Sequence, residues 1–119
     1  MPNPVVHFEI QSTEPEKSQK FFTDLFDWHV DANNPMNYGV VDTHSGGISG
    51  GIGPTENSQN NTLFYVEVDD LQAYLDKAES LGRKTVMPVT VIPGMVTLAM
   101  FSDPTGNVVG MVSNETPPA

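Results

Sequence analysis

The order of predicted elements repeats along the chain, and this repeat restricts the fold more than any other feature of the sequence. VVHFEI at residues 5–10 is typical of a strand. A helix follows over Glu14–Phe26, with capping-box spacing between Thr13 and Glu16 and with Pro15 in its first turn. The stretches WHVD, MNYGVVD and GGISGGIG predict three short strands.

The same order returns after the polar stretch at 54–61. TLFYVEVDD predicts a strand, Asp69 or Asp70 caps a helix over LQAYLDKAESLG, and Gly82 is its expected C′ residue. The last strands are KTVMPVTVI, MVTLAMFSD and NVVGMV, with the turn DPTG before the final one. The sequence therefore predicts one α+β domain over 1–119: a βαβββ module at about 4–53, a linker at about 54–61, and a second βαβββ module at about 62–113.

Composition restricts the partners and the cellular location. The 119 residues fit one domain, and no apolar run reaches the roughly 20 residues that cross a bilayer. The N-terminus lacks the basic start and apolar stretch of a signal peptide, and the chain has no cysteine, so we expect a cytoplasmic protein. Fifteen acidic residues against five basic ones give a net charge of −10, which argues against binding nucleic acid or an anionic membrane.

Four stretches in this order resemble the vicinal oxygen chelate superfamily, which includes glyoxalase I, bleomycin-resistance proteins, fosfomycin-resistance enzymes and extradiol dioxygenases. They are VVHFEI with PEKSQKFFTDLFDW, then FYVEVDDLQAYLDKAESLG, then FSDPTGNVVGMV. GGISGG and MPVTVIPGM are similar to the small glyoxalase-like branch. The resemblance implies a curved, cup-shaped mixed sheet with the helices on its outer face, and often a homodimer.

The resemblance also implies a divalent metal on the concave face, held by His, Glu or Gln side chains from the first and last strands of each module. The corresponding positions here are His7, Gly50, Leu63 and Gly110. Leucine and glycine side chains offer no lone pair, and catalytic metal sites normally use three protein ligands. The sequence therefore predicts no usual metal site, with His7 as the one retained ligand. A divalent metal held by His7 with Glu9 or Glu67 is the alternative.

Alternation along the strands predicts which side chains share the inner face. If Phe8 and Ile10 pack against the first helix, His7 and Glu9 face the other way; Phe64, Val66 and Val68 are likewise expected under the second helix. Missing side chains at two glycines are expected to leave room for a ligand. The predicted pocket is lined by His7, Glu9, Gly50, Leu63, Tyr65, Glu67 and Gly110.

Three functions follow from this lining. The preferred hypothesis is a metal-free protein that binds a small, partly apolar molecule, since an apolar concavity with a few polar groups is typical of such sites. The second is a metal-dependent lyase, isomerase or dioxygenase of glyoxalase type that uses His7 and a nearby carboxylate. The third is a metal-free enzyme in which His7, beside Glu9, acts as general base and Tyr65 as acid. Trp28 and Tyr38 are interpreted as core or rim residues, with stacking on a ligand as the alternative, and His44 is interpreted as a surface residue.

Overall fold

The computed structural model describes residues 2–43 and 46–115 and divides the chain into two compact units. The first unit is Val6–Leu63. The second unit consists of the described residues of Met1–Val5 and Phe64–Ala119.

The first unit contains one helix and a four-stranded mixed sheet. Its elements are β1 (Val5–Ser12, all but Val5 in this unit), α1 (Pro15–Phe26), β2 (His29–Asp31), β3 (Gly39–Asp42) and β4 (Ser49–Pro54). The strand order is β2-β3-β4-β1, and β1 and β4 run parallel while the other neighbours run antiparallel.

The second unit repeats this architecture. Its elements are β5 (Asn61–Val68, from Phe64 onwards in this unit), α2 (Leu71–Ser80), β6 (Lys84–Ile92), β7 (Val96–Ser102) and β8 (Val108–Ser113). The strand order is β5-β8-β7-β6, and β5 and β8 are the parallel pair. The predicted α+β class and the two βαβββ modules are therefore confirmed.

The N-terminus of α1 differs from the prediction. Glu14 is the N-cap residue, Pro15 begins the helix, and no side chain caps it. Thr13 lies one residue too early to cap the helix; instead its backbone N–H and its hydroxyl both donate to Asn60 Oδ1, at 2.9 and 3.3 Å. The predicted capping box is wrong because Asn60 engages the threonine.

The N-terminus of α2 follows the prediction and selects one of its two candidates. Asp70 is the N-cap, and its side chain accepts a hydrogen bond of 3.1 Å from the backbone N–H of Ala73. At the other end, Gly82 has φ +85°, the left-handed conformation expected of a C′ glycine.

The core of the second unit forms where α2 covers its sheet. Val68, Leu71, Leu75, Ala99 and Met111 make up this cluster, with Val66, Tyr74 and Phe101 packed against it. Leucines at i and i+4 share one face of α2, which explains why both are buried. Val66 and Val68 lie as predicted, whereas Phe64 is 43% exposed and does not join this cluster.

Aromatic rings hold α1 against the sheet of the first unit. The Trp28 ring centroid lies 5.4 Å from that of Phe8, 5.5 Å from that of Phe22 and 5.2 Å from that of Phe26. Asp27, in the left-handed conformation with φ 59°, ends α1 and lets the chain turn directly into Trp28. This contact places Phe8 on the helix side of β1.

The buried Gln19 side chain adds a polar contact between α1 and β4. Its amide nitrogen donates to the backbone oxygen of Ile52 at 2.8 Å and to that of Asn37 at 3.4 Å. Because a buried amide without a partner is costly, these bonds restrict how α1 can slide along the sheet.

Candidate functional site

A row of polar side chains lies on the face of β1 that points away from Phe8. His7, Glu9 and Gln11 are all half-buried and share this face because side chains alternate along a strand. Gln11 donates to Glu9 Oε2 at 2.8 Å. Tyr38, from the segment before β3, donates its hydroxyl to Glu9 Oε1 at 3.1 Å and lies 3.2 Å from His7 Nε2. We call these four side chains the His7 row.

Two glycines of β4 make room for the Tyr38 ring. In the parallel ladder Gly51 pairs with Glu9 and Gly53 pairs with Gln11, so both glycines lie on the face of the His7 row. A Cβ at Gly51 would overlap the hydroxyl and ring of Tyr38, and a Cβ at Gly53 would lie 2.6 Å from Tyr38 Cδ1. The phenol therefore packs directly on glycine backbone.

Asn34 positions Tyr38 from within the preceding segment. The side chain of Asn34 accepts a hydrogen bond from the backbone N–H of Tyr38 at 3.1 Å and donates to its backbone oxygen at 2.7 Å. Asn37 between them has φ 52°, the left-handed conformation that asparagine tolerates better than most residues. These local contacts direct the phenol toward β1.

Burial determines the electrostatics of the row. Desolvation lowers the pKa of His7, and the nearby charge of Glu9 opposes this only in part. Burial also raises the pKa of Tyr38, and the charge of Glu9 and the hydrogen bond to it raise that pKa further. Burial therefore favours the uncharged form of both rings.

The structure corrects the prediction that Gly50 lies on the same face as His7. Gly50 pairs with Phe8, and a Cβ there would overlap the ring and backbone oxygen of Phe8, on the helix side of β1. Gly51 is the glycine on the face of His7 and Glu9. The sequence comparison of the two modules placed β4 one residue out of register, and a one-residue shift moves every side chain to the other face.

The second unit fills the space that its glycine was expected to leave. Gly110 pairs with Tyr65, and a Cβ at Gly110 would overlap the Tyr65 ring, which is only 4% exposed. The Phe8 ring occupies the corresponding space at Gly50. The prediction that these two glycines leave open room is therefore wrong, because an aromatic side chain on the neighbouring strand covers each one.

The other predicted lining residues differ in exposure. Leu63 is buried, whereas Glu67 is half-buried and donates its backbone N–H to the backbone oxygen of Pro4 at 2.9 Å. Their predicted part in ligand binding stays a prediction.

Tyr38 is the site residue that sequence reasoning missed. It was interpreted as a core or rim residue, yet its hydroxyl contacts both His7 and Glu9. The signal lay in Gly51 and Gly53, which alternate along β4 and leave one face of its later part without side chains. That pattern indicates a bulky group from elsewhere packed on the strand.

The available donors do not fit a three-ligand metal site. Within residues 2–43 and 46–115, no three His, Asp, Glu or Cys side chains lie close enough together to hold a metal ion. His44 lies outside the described residues. Gly51, which lies on the face of His7 where Gly50 was expected, also has no side chain that could bind a metal. His7 Nε2 is already within hydrogen-bond distance of the Tyr38 hydroxyl.

Comparison with known families identifies the group to which the two-module fold belongs. Residues 5–111 match the family described as Glyoxalase/Bleomycin resistance protein/Dioxygenase superfamily. The chain belongs to this superfamily.

Curated relatives and solved structures are consistent with that membership. The protein named "Putative glyoxylase CFP32" of Mycobacterium bovis is 31% identical over 111 residues, which cover 87% of this chain and 42% of that relative. This chain thus spans about two fifths of the relative's length. A "Glyoxylase-like domain-containing protein" of Didymella fabae is 28% identical, with 83% of this chain and 84% of the relative covered.

Among solved structures, a superfamily member from Vibrio splendidus 12B01 has a TM-score of 0.66 at 18% identity, with 94% of this chain and 98% of that chain covered. The Mn(II)-bound glyoxalase from Novosphingobium aromaticivorans has a TM-score of 0.60 at 16% identity, with 98% of this chain and 40% of that chain covered. At these identities the likeness shows a shared fold. Along the described chain, neither helix is long and apolar enough to span a membrane.

Proposed function

We propose that this chain binds a small, partly apolar molecule at the face of β1 that carries the His7 row, without the divalent metal of metal-dependent superfamily members. The observation that carries the proposal is the contact of Tyr38 with both His7 and Glu9. It brings together an imidazole, a phenol and a carboxylate, and the phenol ring packs on glycine backbone. A few positioned polar groups beside aromatic surface are typical of small-molecule sites.

The same contact weakens the case for a metal. A ring nitrogen that is hydrogen-bonded to a phenol must give up that bond before it can coordinate a cation. Catalytic metal sites in proteins normally combine three such ligands, and the glycine at position 51, on the same face as His7, contributes none.

A thermal-shift screen tests the proposal. Chelator-treated protein is screened against a library of small molecules, with the melting temperature as the readout. A ligand at 100 times its dissociation constant stabilises a protein by about 2.7 kcal/mol. For a chain of this length, that corresponds to roughly 10 °C in the melting temperature.

Substitutions in the row connect any hit to the site. His7→Ala and Glu9→Gln should abolish the shift, whereas His29→Ala on the short strand β2 and Glu56→Gln in an exposed loop should retain it. The proposal fails if no library member stabilises the protein, or if the hits stabilise the row variants and the controls equally.

The alternative is a metal-dependent lyase, isomerase or dioxygenase that uses His7 and Glu9. It is favoured by one observation, that an imidazole and a carboxylate share this face of β1. Elemental analysis of the purified protein separates the two functions. Near-stoichiometric nickel, zinc, manganese or iron that is lost in His7→Ala would replace the binding proposal with the metal-dependent one.

We also propose that the chain is a cytoplasmic homodimer. Phe21 and Leu25 on α1 are 58% and 57% exposed, so apolar area is available for association to bury. Light scattering during gel filtration, over a range of protein concentrations, tests the oligomeric state. A mass that stays at 12.9 kDa throughout would refute the dimer.

A further inference from the structure

We infer that Tyr38 is the positioning residue of the His7 row: its hydroxyl fixes His7 in the Nε2-protonated tautomer and links the ring to Glu9. The inference deepens the proposed function and rests on it for the role of His7 in binding. The protonation pattern itself follows from the hydrogen bonds of the row.

The argument begins with the single proton of the phenol. A tyrosine hydroxyl can donate one hydrogen bond, and a carboxylate can only accept. The Tyr38 proton therefore lies on the bond to Glu9 Oε1. The contact between His7 Nε2 and Tyr38 Oη must then be an N–H···O bond in which the imidazole donates.

The surroundings hold this pattern in place. Gln11 donates to the other carboxylate oxygen of Glu9, so that carboxylate is tied on both sides. The phenol ring packs against Gly51 and Gly53, and two hydrogen bonds with the side chain of Asn34 hold the backbone of Tyr38. Burial keeps the phenol protonated, because it raises the pKa of Tyr38. In this pattern the phenol proton lies toward Glu9 and the imidazole proton on Nε2 lies toward Tyr38.

The tautomer decides what His7 can recognise. In a neutral imidazole with a proton on Nε2, the lone pair belongs to Nδ1. A molecule that uses His7 as an acceptor must therefore donate to Nδ1, as a hydroxyl or amide N–H does. A divalent cation finds no lone pair on Nε2 while the Tyr38 bond is intact.

Two-dimensional NMR of the ¹⁵N-labelled full chain reads the tautomer directly from the shifts and couplings of the imidazole nitrogens. At about pH 8, where an ordinary histidine is neutral, we expect His7 in wild-type protein to be predominantly Nε2-protonated. Tyr38→Phe keeps the ring on its glycine floor but removes the hydroxyl. The ratio of the Nδ1-protonated to the Nε2-protonated form should then rise at least about fivefold, the factor that corresponds to one net hydrogen bond.

Matched variants separate positioning from packing. Glu9→Gln should also raise this ratio, because an amide can donate to the phenol oxygen as well as accept from it. The phenol proton can then lie toward His7 Nε2 instead. Tyr74→Phe removes a hydroxyl that contacts Asn3 in the second unit and should leave the His7 tautomer unchanged. If Tyr38 only packed against the glycines, Tyr38→Phe would leave the tautomer ratio as it is in wild type.

The wild-type spectrum provides a test that depends on no variant. A predominantly Nδ1-protonated His7 in unsubstituted protein would overturn the inference. The readout needs no ligand, so the two proposals fail separately. If the library screen gives no ligand but NMR shows an Nε2-protonated His7, only the binding function is refuted. If the screen gives a ligand but NMR shows an Nδ1-protonated His7, only the inference about the tautomer is refuted.

Discussion

The packing of Tyr38 on Gly51 leads to a quantitative prediction for Gly51→Ala. Gly51 is not among the glycines with positive φ, so the backbone of β4 accepts alanine there. The added Cβ would overlap the Tyr38 hydroxyl and ring, and the phenol has to move. The substitution therefore tests whether Tyr38 is held where the structure places it.

The cost can be estimated from the contacts that are lost. Displacing Tyr38 breaks its bonds to His7 and Glu9, which are worth about 1 kcal/mol each. Overpacking adds about 1 kcal/mol at its lower limit. Replacing glycine by alanine returns roughly 0.4–1 kcal/mol through the unfolded state. We expect Gly51→Ala to lower the free energy of unfolding by about 2–3 kcal/mol.

Urea unfolding followed by Trp28 fluorescence measures this loss in the first unit, since Trp28 is the single tryptophan of the chain. With slopes of about 1–3 kcal/mol per molar urea, the midpoint should fall by roughly 0.7–3 M. Gly53→Ala is a graded comparison and should cost less, because the nearest Tyr38 atom would lie 2.6 Å from its Cβ, whereas a Cβ at Gly51 would overlap the Tyr38 hydroxyl and ring.

A double-mutant cycle identifies the cause. In a Tyr38→Ala background the overlap no longer exists, so Gly51→Ala should raise the free energy of unfolding by roughly 0.4–1 kcal/mol, which corresponds to a coupling of about 3 kcal/mol. An equal cost in both backgrounds, or a Gly51→Ala protein as stable as wild type, would refute the reasoning.

Three further predictions concern the second unit. Asp70→Ala removes the cap of α2 and should cost about 1 kcal/mol in urea unfolding, whereas Asp69→Ala should be close to neutral; equal losses would contradict the assignment. Leu75→Ala, at a position 2% exposed, should cost about 2–5 kcal/mol, against less than about 0.5 for Leu81→Ala at 72% exposure. Hydrogen bonds from Asn107 and Thr105 lower the pKa of Asp103, and this exposed carboxylate stabilises the fold above the unfolded-state pKa of about 3.9. The stability gap between wild type and Asp103→Ala should therefore be present at neutral pH and shrink as the pH falls below about 4; a gap that is constant in acid unfolding experiments would contradict this.

Much of the fold could be predicted because its signals are local. Apolar spacing in α2 and the alternation in β1 and β5 identify these elements without knowledge of their neighbours. The turn at Asp103–Gly106 was predicted from four residues, and the backbone bond of 3.0 Å between Gly106 N–H and Asp103 oxygen closes it. Local signals fail where a residue distant in the chain binds the group that the local pattern assigns to another role. Thr13, predicted to cap α1, instead donates two hydrogen bonds to Asn60.

The site could be predicted only in part. Alternation along β1 correctly placed His7 and Glu9 on one face, opposite Phe8. The partner that joins them was not predictable by the same argument, because Tyr38 is 31 residues from His7 along the chain. A tyrosine before a short strand has no local feature that distinguishes a packing ring from a polar contact.

By itself, the sequence determined the order of strands and helices in both modules and the residue types that β1 offers to a ligand. Both follow from periodicities of two and 3.6 residues, which depend only on neighbours in the chain. The tertiary structure alone decided that Gly51 rather than Gly50 shares the face of Glu9, and that Tyr38 covers it. The physical reason is strand register: hydrogen bonds between distant segments set it, and a shift of one residue reverses the face on which each side chain lies.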